Sequence, residues 1–113
     1  KEITNNWSEY RTMWTIVMFD MPVATKQDRK NYAIFRKSIL ELGFEMHQFS
    51  VYKKFSPNGE RREVLEQNIK TILPPKGKVS ILAVTGNQYA KMKTFFGFSP
   101  TKPPETPEQS MLF

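Results

Sequence analysis

Asp20 is the residue in this sequence best placed to do chemistry. The chain has only two aspartates, and the other, Asp28, is accounted for by Thr25-Lys-Gln-Asp28, which has the spacing of a helix capping box with Asp in place of the more usual Glu. Asp20 directly follows the apolar run Trp14-Thr-Ile-Val-Met-Phe19 and precedes Met21-Pro22. An unpaired carboxylate buried there would be costly, so it lies at the exposed end of a strand, is paired, or holds a cation. A turn residue before Pro22 is the alternative, since Asp-x-Pro is common turn chemistry. Magnesium takes oxygen ligands and is usually held by one or two carboxylates, several waters and substrate phosphate. One chain supplies one strand-end Asp, whereas a two-fold dimer supplies two. A single Mg2+ or Mn2+ shared across the dimer axis is therefore the arrangement in which Asp20 could serve as metal ligand and catalytic residue.

The second feature is a basic cluster, Lys26, Arg29, Lys30, Arg36 and Lys37, in the segment after Asp20. Tyr32, Phe35, Ile39 and Leu42 recur there at steps of three and four, which predicts a helix over about 26–42, with Gly43 at the position of a left-handed C-cap. Lys26, Arg29, Lys30 and Lys37 fall roughly on the side away from the apolar stripe, and Arg36 flanks it. Cations on a rigid scaffold suit salt-dependent contacts to phosphates, without sequence specificity. A solvated helix face is the alternative, although Glu41 is the only acid on this helix after its cap. Lys53, Lys54, Arg61 and Arg62 form a second basic group, weakened by Glu60 and Glu63 beside the arginine pair. His47, the only histidine, reads as a strand residue. Phe49, Tyr52 and Phe55 could stack bases or fill a sheet core.

The elements that must position these residues follow from patterning. Trp14–Phe19 reads as a central strand buried on both faces, stopped by Pro22. From Phe44 to Phe55 the apolar parity slips, which predicts two short strands, about 45–48 and 50–54, with a bulge or tight reversal near Gln48. Ser56-Pro-Asn-Gly59 is turn chemistry, and Leu65, Asn68, Ile69 and Ile72 mark a second helix stopped by Pro74-Pro75. Val79–Thr85 is a further strand. Tyr89, Met92 and Phe96 suggest one or two more helical turns. The order β-α-β-β-α-β predicts an α+β, ferredoxin-like fold: a four-stranded antiparallel sheet with both helices on one face. The chain then divides into an N-terminal extension (1–12), the ferredoxin-like domain (13–95) and a proline-rich tail with a short terminal strand (96–113). The other sheet face lacks cover within the chain, so a homodimer packed sheet to sheet is expected.

Composition narrows the class. With 113 residues, 39% of them hydrophobic, the chain has room for one modest core and no deep lidded cleft. It has no cysteine, so disulfides and thiolate metal sites are excluded. No apolar run approaches the roughly 20 residues needed to span a bilayer. The formal charge is +6 and is concentrated: Met21–Lys93 holds 14 Lys/Arg against 6 Asp/Glu. A basic body fits a polyanion partner, nucleic acid being the commonest.

Trp14-Thr-Ile-Val-Met-Phe-Asp-Met-Pro22, the basic helix ending Phe35-Arg-Lys-Ser-Ile-Leu-Glu-Leu-Gly-Phe44, and Met46-His-Gln-Phe-Ser-Val-Tyr52 together resemble the CRISPR-associated Cas2 proteins, in the flavour of type II systems. Leu82-Ala-Val-Thr85 followed by Gln88-Tyr89 is similar to the same group, and the resemblance covers about residues 13–95. It implies a homodimeric ferredoxin-like fold with a swapped or docked C-terminal strand, assembly with the Cas1 integrase on double-stranded prespacer DNA, and the type II effector nuclease as a further partner. It implies that Asp20 matches the aspartate proposed as divalent-metal ligand of a nuclease reaction, an activity that varies within the family. It maps DNA-backbone contacts loosely onto Lys26, Arg29, Lys30, Arg36 and Lys37. A cytoplasmic bacterial protein without membrane contact is the matching location.

Three functions remain open at this point. The leading one is a duplex-binding homodimer that scaffolds the integrase in spacer acquisition. The second is a metal-dependent endonuclease on RNA or DNA through Asp20, including an independent ribonuclease of the VapD kind, which shares the fold. The third, a ligand-binding regulatory module, fits poorly with the basic surplus and the lack of a Gly-rich loop.

Overall fold

The computed structural model describes residues 12–97. The β-branched and aromatic run forms β1 (Met13–Asp20), the strand around which the sheet is assembled. It pairs antiparallel with β3 (Val51–Ser56) on one side and β4 (Lys78–Thr85) on the other, and β2 (Glu45–Gln48) adds to the outer edge of β3. The strand order β2-β3-β1-β4 is the ferredoxin-like order expected from the sequence. Helix α1 (Lys26–Glu41) joins β1 to β2, α2 (Gly59–Lys70) joins β3 to β4, and a single turn, α3 (Gly86–Ala90), follows β4.

Both long helices start where their side chains can cap them. Thr25 Oγ1 accepts from the Asp28 N–H at 3.0 Å, and the Asp28 carboxylate accepts from the Thr25 N–H at 3.3 Å, closing the expected capping box. Asn58 caps α2 by accepting from the Arg61 N–H at 2.8 Å. Gly43 ends α1 with φ +97°, the left-handed conformation its position called for. Phe35 and Ile39 of α1 and Leu65 and Ile69 of α2 meet Val17 and Phe19 of β1 and Tyr52 of β3 in one core, with Met21 and Phe44 at its ends. Burying each of these large side chains contributes roughly 1.5–3 kcal/mol.

The parity slip between Phe44 and Phe55 has two causes. A bulge falls between Met46 and Gln48, and the chain then reverses through Phe49-Ser50, where Ser50 has φ 65°. Strand β3 consequently runs to Ser56, two residues beyond the expected 54. Of the turns expected from Tyr89, Met92 and Phe96, one forms, because Thr85 and Gln88 make a second capping box; Met92 and Phe96 lie past its end.

Burial of β1 on both faces is met on the helix side only. Thr15, Val17 and Phe19 point to the helices and are buried. On the opposite face Ile16 is buried, but Met18 is 36% exposed, and on the flanking strands Phe55 and Leu82 are 45% and 50% exposed. Helix α3 covers one corner of this face, with Tyr89 stacked on Trp14 at 4.0 Å. The anticipated N-terminal extension (1–12) and C-terminal tail with its strand (96–113) lie outside the described residues, apart from Thr12, Phe96 and Gly97. No helix among the described residues is long and apolar enough to cross a membrane.

Candidate nucleic-acid interface

Asp20 is the last residue of β1 rather than the first beyond it, and it pairs in register with Lys78 at the start of β4. Its backbone is fixed on both sides. Phe19 donates its N–H to the Ser50 carbonyl at 3.1 Å, holding β1 to the β2–β3 turn. On the other side Gly77 passes so close that a Cβ there would lie 2.8 Å from the Asp20 carbonyl oxygen and 2.9 Å from Met21 Cγ. Gly77 also has φ +103°, so both space and conformation require glycine. With Met21 buried behind it, Asp20 presents an exposed carboxylate from a rigid base. It shares parity with Trp14, Ile16 and Met18, which puts it on the sheet face away from the helices.

One chain does not by itself make a metal site here. No cluster of three or more His, Asp or Glu side chains that could hold an ion occurs among the described residues. A cation at Asp20 needs its remaining ligands from water, a substrate phosphate or another copy of the chain.

The basic helix divides into two sets. At 100° per residue Lys26, Lys30 and Lys37 fall within about 40° of one another, opposite Phe35 and Ile39, and span about 16 Å along the axis. All three are exposed and make no ion pair or side-chain hydrogen bond among the described residues. Arg29 and Arg36 lie on the flank and are engaged within the chain. Arg29 Nη1 donates to the carbonyls of Val23 and Ala24 at 3.1 and 3.2 Å, tying down the loop after Asp20. Arg36 Nε donates to the hydroxyl of buried Tyr52 at 2.8 Å. Burial pushes the Tyr52 hydroxyl above the ordinary phenol value, and Arg36 opposes that shift.

The second basic group is dispersed. Lys53 Nζ donates to the Tyr89 hydroxyl at 2.8 Å on the open sheet face, and Lys54 lies against Gly43. Arg62 pairs with Glu66 at 2.9 Å along α2. The cations that patterning missed are Lys76 and Lys78, whose signal was their place around the start of β4. Lys78 adjoins Asp20 in register, and Lys76 reaches the capping Asp28 at 3.9 Å. His47 is a β2 residue, as read from the sequence. Burial and then the nearby Lys53 hold its pKa below the ordinary 6.5. Of the three aromatics considered for stacking, Tyr52 is core, Phe55 packs edge-on against Trp14, and Phe49 projects from the β2–β3 turn.

This architecture is shared with known proteins. The family described as "CRISPR associated protein Cas2" matches residues 13–92. A CRISPR-associated endoribonuclease Cas2 of Flavobacterium psychrophilum is 37% identical over 94% of this chain and 92% of its own length. Those of Paracidovorax avenae and Treponema denticola are 41% and 43% identical, over 92% and 88% of this chain and 96% and 99% of theirs. A solved structure titled "Crystal structure of cas2" superposes with a TM-score of 0.55 at 20% identity, covering 84% of this chain and 97% of that one, a likeness of fold. On its sequence and its fold together, the chain belongs to the CRISPR-associated Cas2 family.

Proposed function

We propose that this Cas2 protein works in the bacterial cytoplasm as a sheet-to-sheet homodimer that grips the backbone of double-stranded prespacer DNA and scaffolds the Cas1 integrase during spacer acquisition. The observation that carries the reading is the line Lys26, Lys30 and Lys37, three cations unengaged among the described residues on the outer face of α1. A dimer joined through the open sheet faces leaves both lines outward, where phosphates can reach them. The dimer is supported by the apolar surface around Met18, Phe55 and Leu82, which nothing covers among the described residues. Duplex binding that is sequence-independent and falls steeply with salt tests the reading; binding insensitive to salt refutes it. The type II effector nuclease, implied by the flavour of the motifs, is a further partner in this proposal.

A second reading is metal-dependent endonuclease activity through Asp20, on RNA in keeping with the names of the relatives, or on DNA. It is favoured by the parity of Asp20. A two-fold packing of the open faces brings two such carboxylates toward the axis, the donor set that one chain lacks. Mg2+ or Mn2+ held there would neutralise phosphate charge and activate water. The residues of this chain supply the carboxylate, the rigid strand end beneath it and the neighbouring cations Lys76 and Lys78. In this proposal Asp20→Ala abolishes cleavage and keeps the dimer and duplex binding; cleavage surviving in the purified variant removes Asp20 from the reaction. A VapD-like ribonuclease acting apart from integration predicts cleavage of RNA with no support of Cas1.

A further inference from the structure

The most exposed aromatic side chain of the β2–β3 hairpin sits at the end of the sheet where β1 stops, and packing within the chain leaves most of it unused. Phe49 is 73% exposed. The ladder of β1 and β3 pairs Met18 with Val51, and the hydrogen bond from the Phe19 N–H to the Ser50 carbonyl continues it by one step. Phe49 lies in the turn just beyond, at the end of the sheet where β1 stops at Asp20, with its ring on the helix side while Asp20 faces the open side.

The turn that holds Phe49 is built at a cost. Two-residue hairpin turns favour Asn-Gly or Gly-containing pairs because they need positive φ. Here the left-handed position is Ser50, at φ 65°. A polar residue tolerates that region less well than glycine, but Ser50 brings something glycine lacks. That something is its hydroxyl, which lies 3.1 Å from the Tyr32 hydroxyl. Tyr32 in turn stacks on Phe49, with centroids 6.1 Å apart and planes at 23°. Tyr32 leans on Phe19 at 5.7 Å, and Phe19 on Phe35 at 5.0 Å. A column of aromatic rings thus rises from the buried core and ends at the surface in Phe49, one of whose faces is backed by Tyr32.

We infer that the Phe49 ring is a stacking platform for an unpaired nucleobase of a single-stranded nucleic acid whose phosphates meet the cations at this end of the sheet. The inference rests on the proposed nucleic-acid function and adds to it a site for a base. Aromatic platforms bind single strands when cations flank them to hold the phosphates. Lys26, Lys76 and Lys78 stand at this same end of the sheet. The backed ring costs little entropy to use, because Tyr32 and the Tyr32–Ser50 hydrogen bond already fix it. Stacking is tolerant of base identity, so the platform selects unpaired over paired strands rather than one sequence over another.

The test titrates labelled single-stranded RNA, single-stranded DNA and duplex of about 15 nucleotides against the dimer, each carrying a fluorescent purine analogue that is quenched on stacking. Wild type is compared with Phe49→Ala, Phe49→Leu and Phe49→Trp, after light scattering and circular dichroism have checked mass and fold. The expected result is a loss of roughly ten-fold or more in single-strand affinity for the Ala and Leu variants. Quenching is lost with it, affinity returns in Phe49→Trp, and duplex affinity is unchanged throughout. The RNA and DNA arms show which strand supplies the base. Single-strand affinity within two-fold of wild type in Phe49→Leu overturns the platform while leaving the duplex reading intact. A change of dimer mass alone would make Phe49 an interface residue and also overturn it. Wild type that binds none of the three nucleic acids overturns the nucleic-acid reading itself, and the platform with it.

Discussion

Neutralising the lysine line of α1 should change the salt dependence of duplex binding by an amount that can be worked out beforehand. Each phosphate contact contributes a slope of roughly −0.9 to log K against log salt on B-form DNA. Lys26→Gln, Lys30→Gln and Lys37→Gln together remove three cations per copy. If a duplex engages one line, the slope becomes shallower by about 2.7, and if it engages both lines of a dimer, by about 5.4. In the second case wild type loses roughly a thousand-fold in affinity between 50 and 200 mM salt, and the variant loses far less. The fold should not suffer, because the three side chains are exposed and engage nothing else among the described residues. Such surface changes stay within about 0.5 kcal/mol. Fluorescence anisotropy of a labelled duplex over a salt series gives both slopes. Arg29→Gln and Arg36→Gln serve as contrasts, since those residues hold the 23–24 loop and Tyr52. They should lower stability more than slope. A triple variant whose slope lies within about one unit of wild type refutes the phosphate track.

Other outcomes follow from the same geometry. Leu82→Glu puts a charge on the open sheet face without disturbing the core, since Leu82 is already half exposed; light scattering should then give the monomer mass, and a retained dimer mass would move the interface elsewhere. Gly77→Ala should cost about 1–3 kcal/mol in urea unfolding, from positive φ and the close approach to Asp20, whereas Lys76→Ala, one position earlier and exposed, should cost less than about 1 kcal/mol. His47 has a folded pKa below its unfolded value, because burial and Lys53 disfavour its charge. As pH falls below 6.5 the unfolded chain takes up the proton first, so stability drops through that window and is flat in this component above it. Urea midpoints at about pH 7.5 and about pH 5.5 should differ less in His47→Gln than in wild type.

Much of this fold could be read from the residues because local and tertiary preferences agree in them. Thr25 and Asp28 sit at capping-box spacing and do cap α1. Gly43 stands where a left-handed residue is needed, and the apolar stripe of α1 is the stripe that enters the core. What could not be read depends on long-range neighbours. Pro22 marks where β1 stops, but only the pairing with Lys78 draws Asp20 into the strand. A one-dimensional charge count treats Arg29 and Arg36 like the lysines beside them. Their hydrogen bonds to a loop carbonyl pair and to a tyrosine 16 positions away separate them. The continuous hydrophobicity of β1 pointed to burial on both faces, and one chain buries one of them. The parity that places Asp20 on the open face required knowing which side the helices take.

The most direct test of the central claim is reconstituted spacer integration with Cas1, measured for wild type, Asp20→Ala and the triple lysine variant side by side. A scaffold that works through its backbone-gripping helices predicts integration that survives Asp20→Ala and collapses when Lys26, Lys30 and Lys37 are neutralised. Integration at the wild-type level by the triple lysine variant would contradict it.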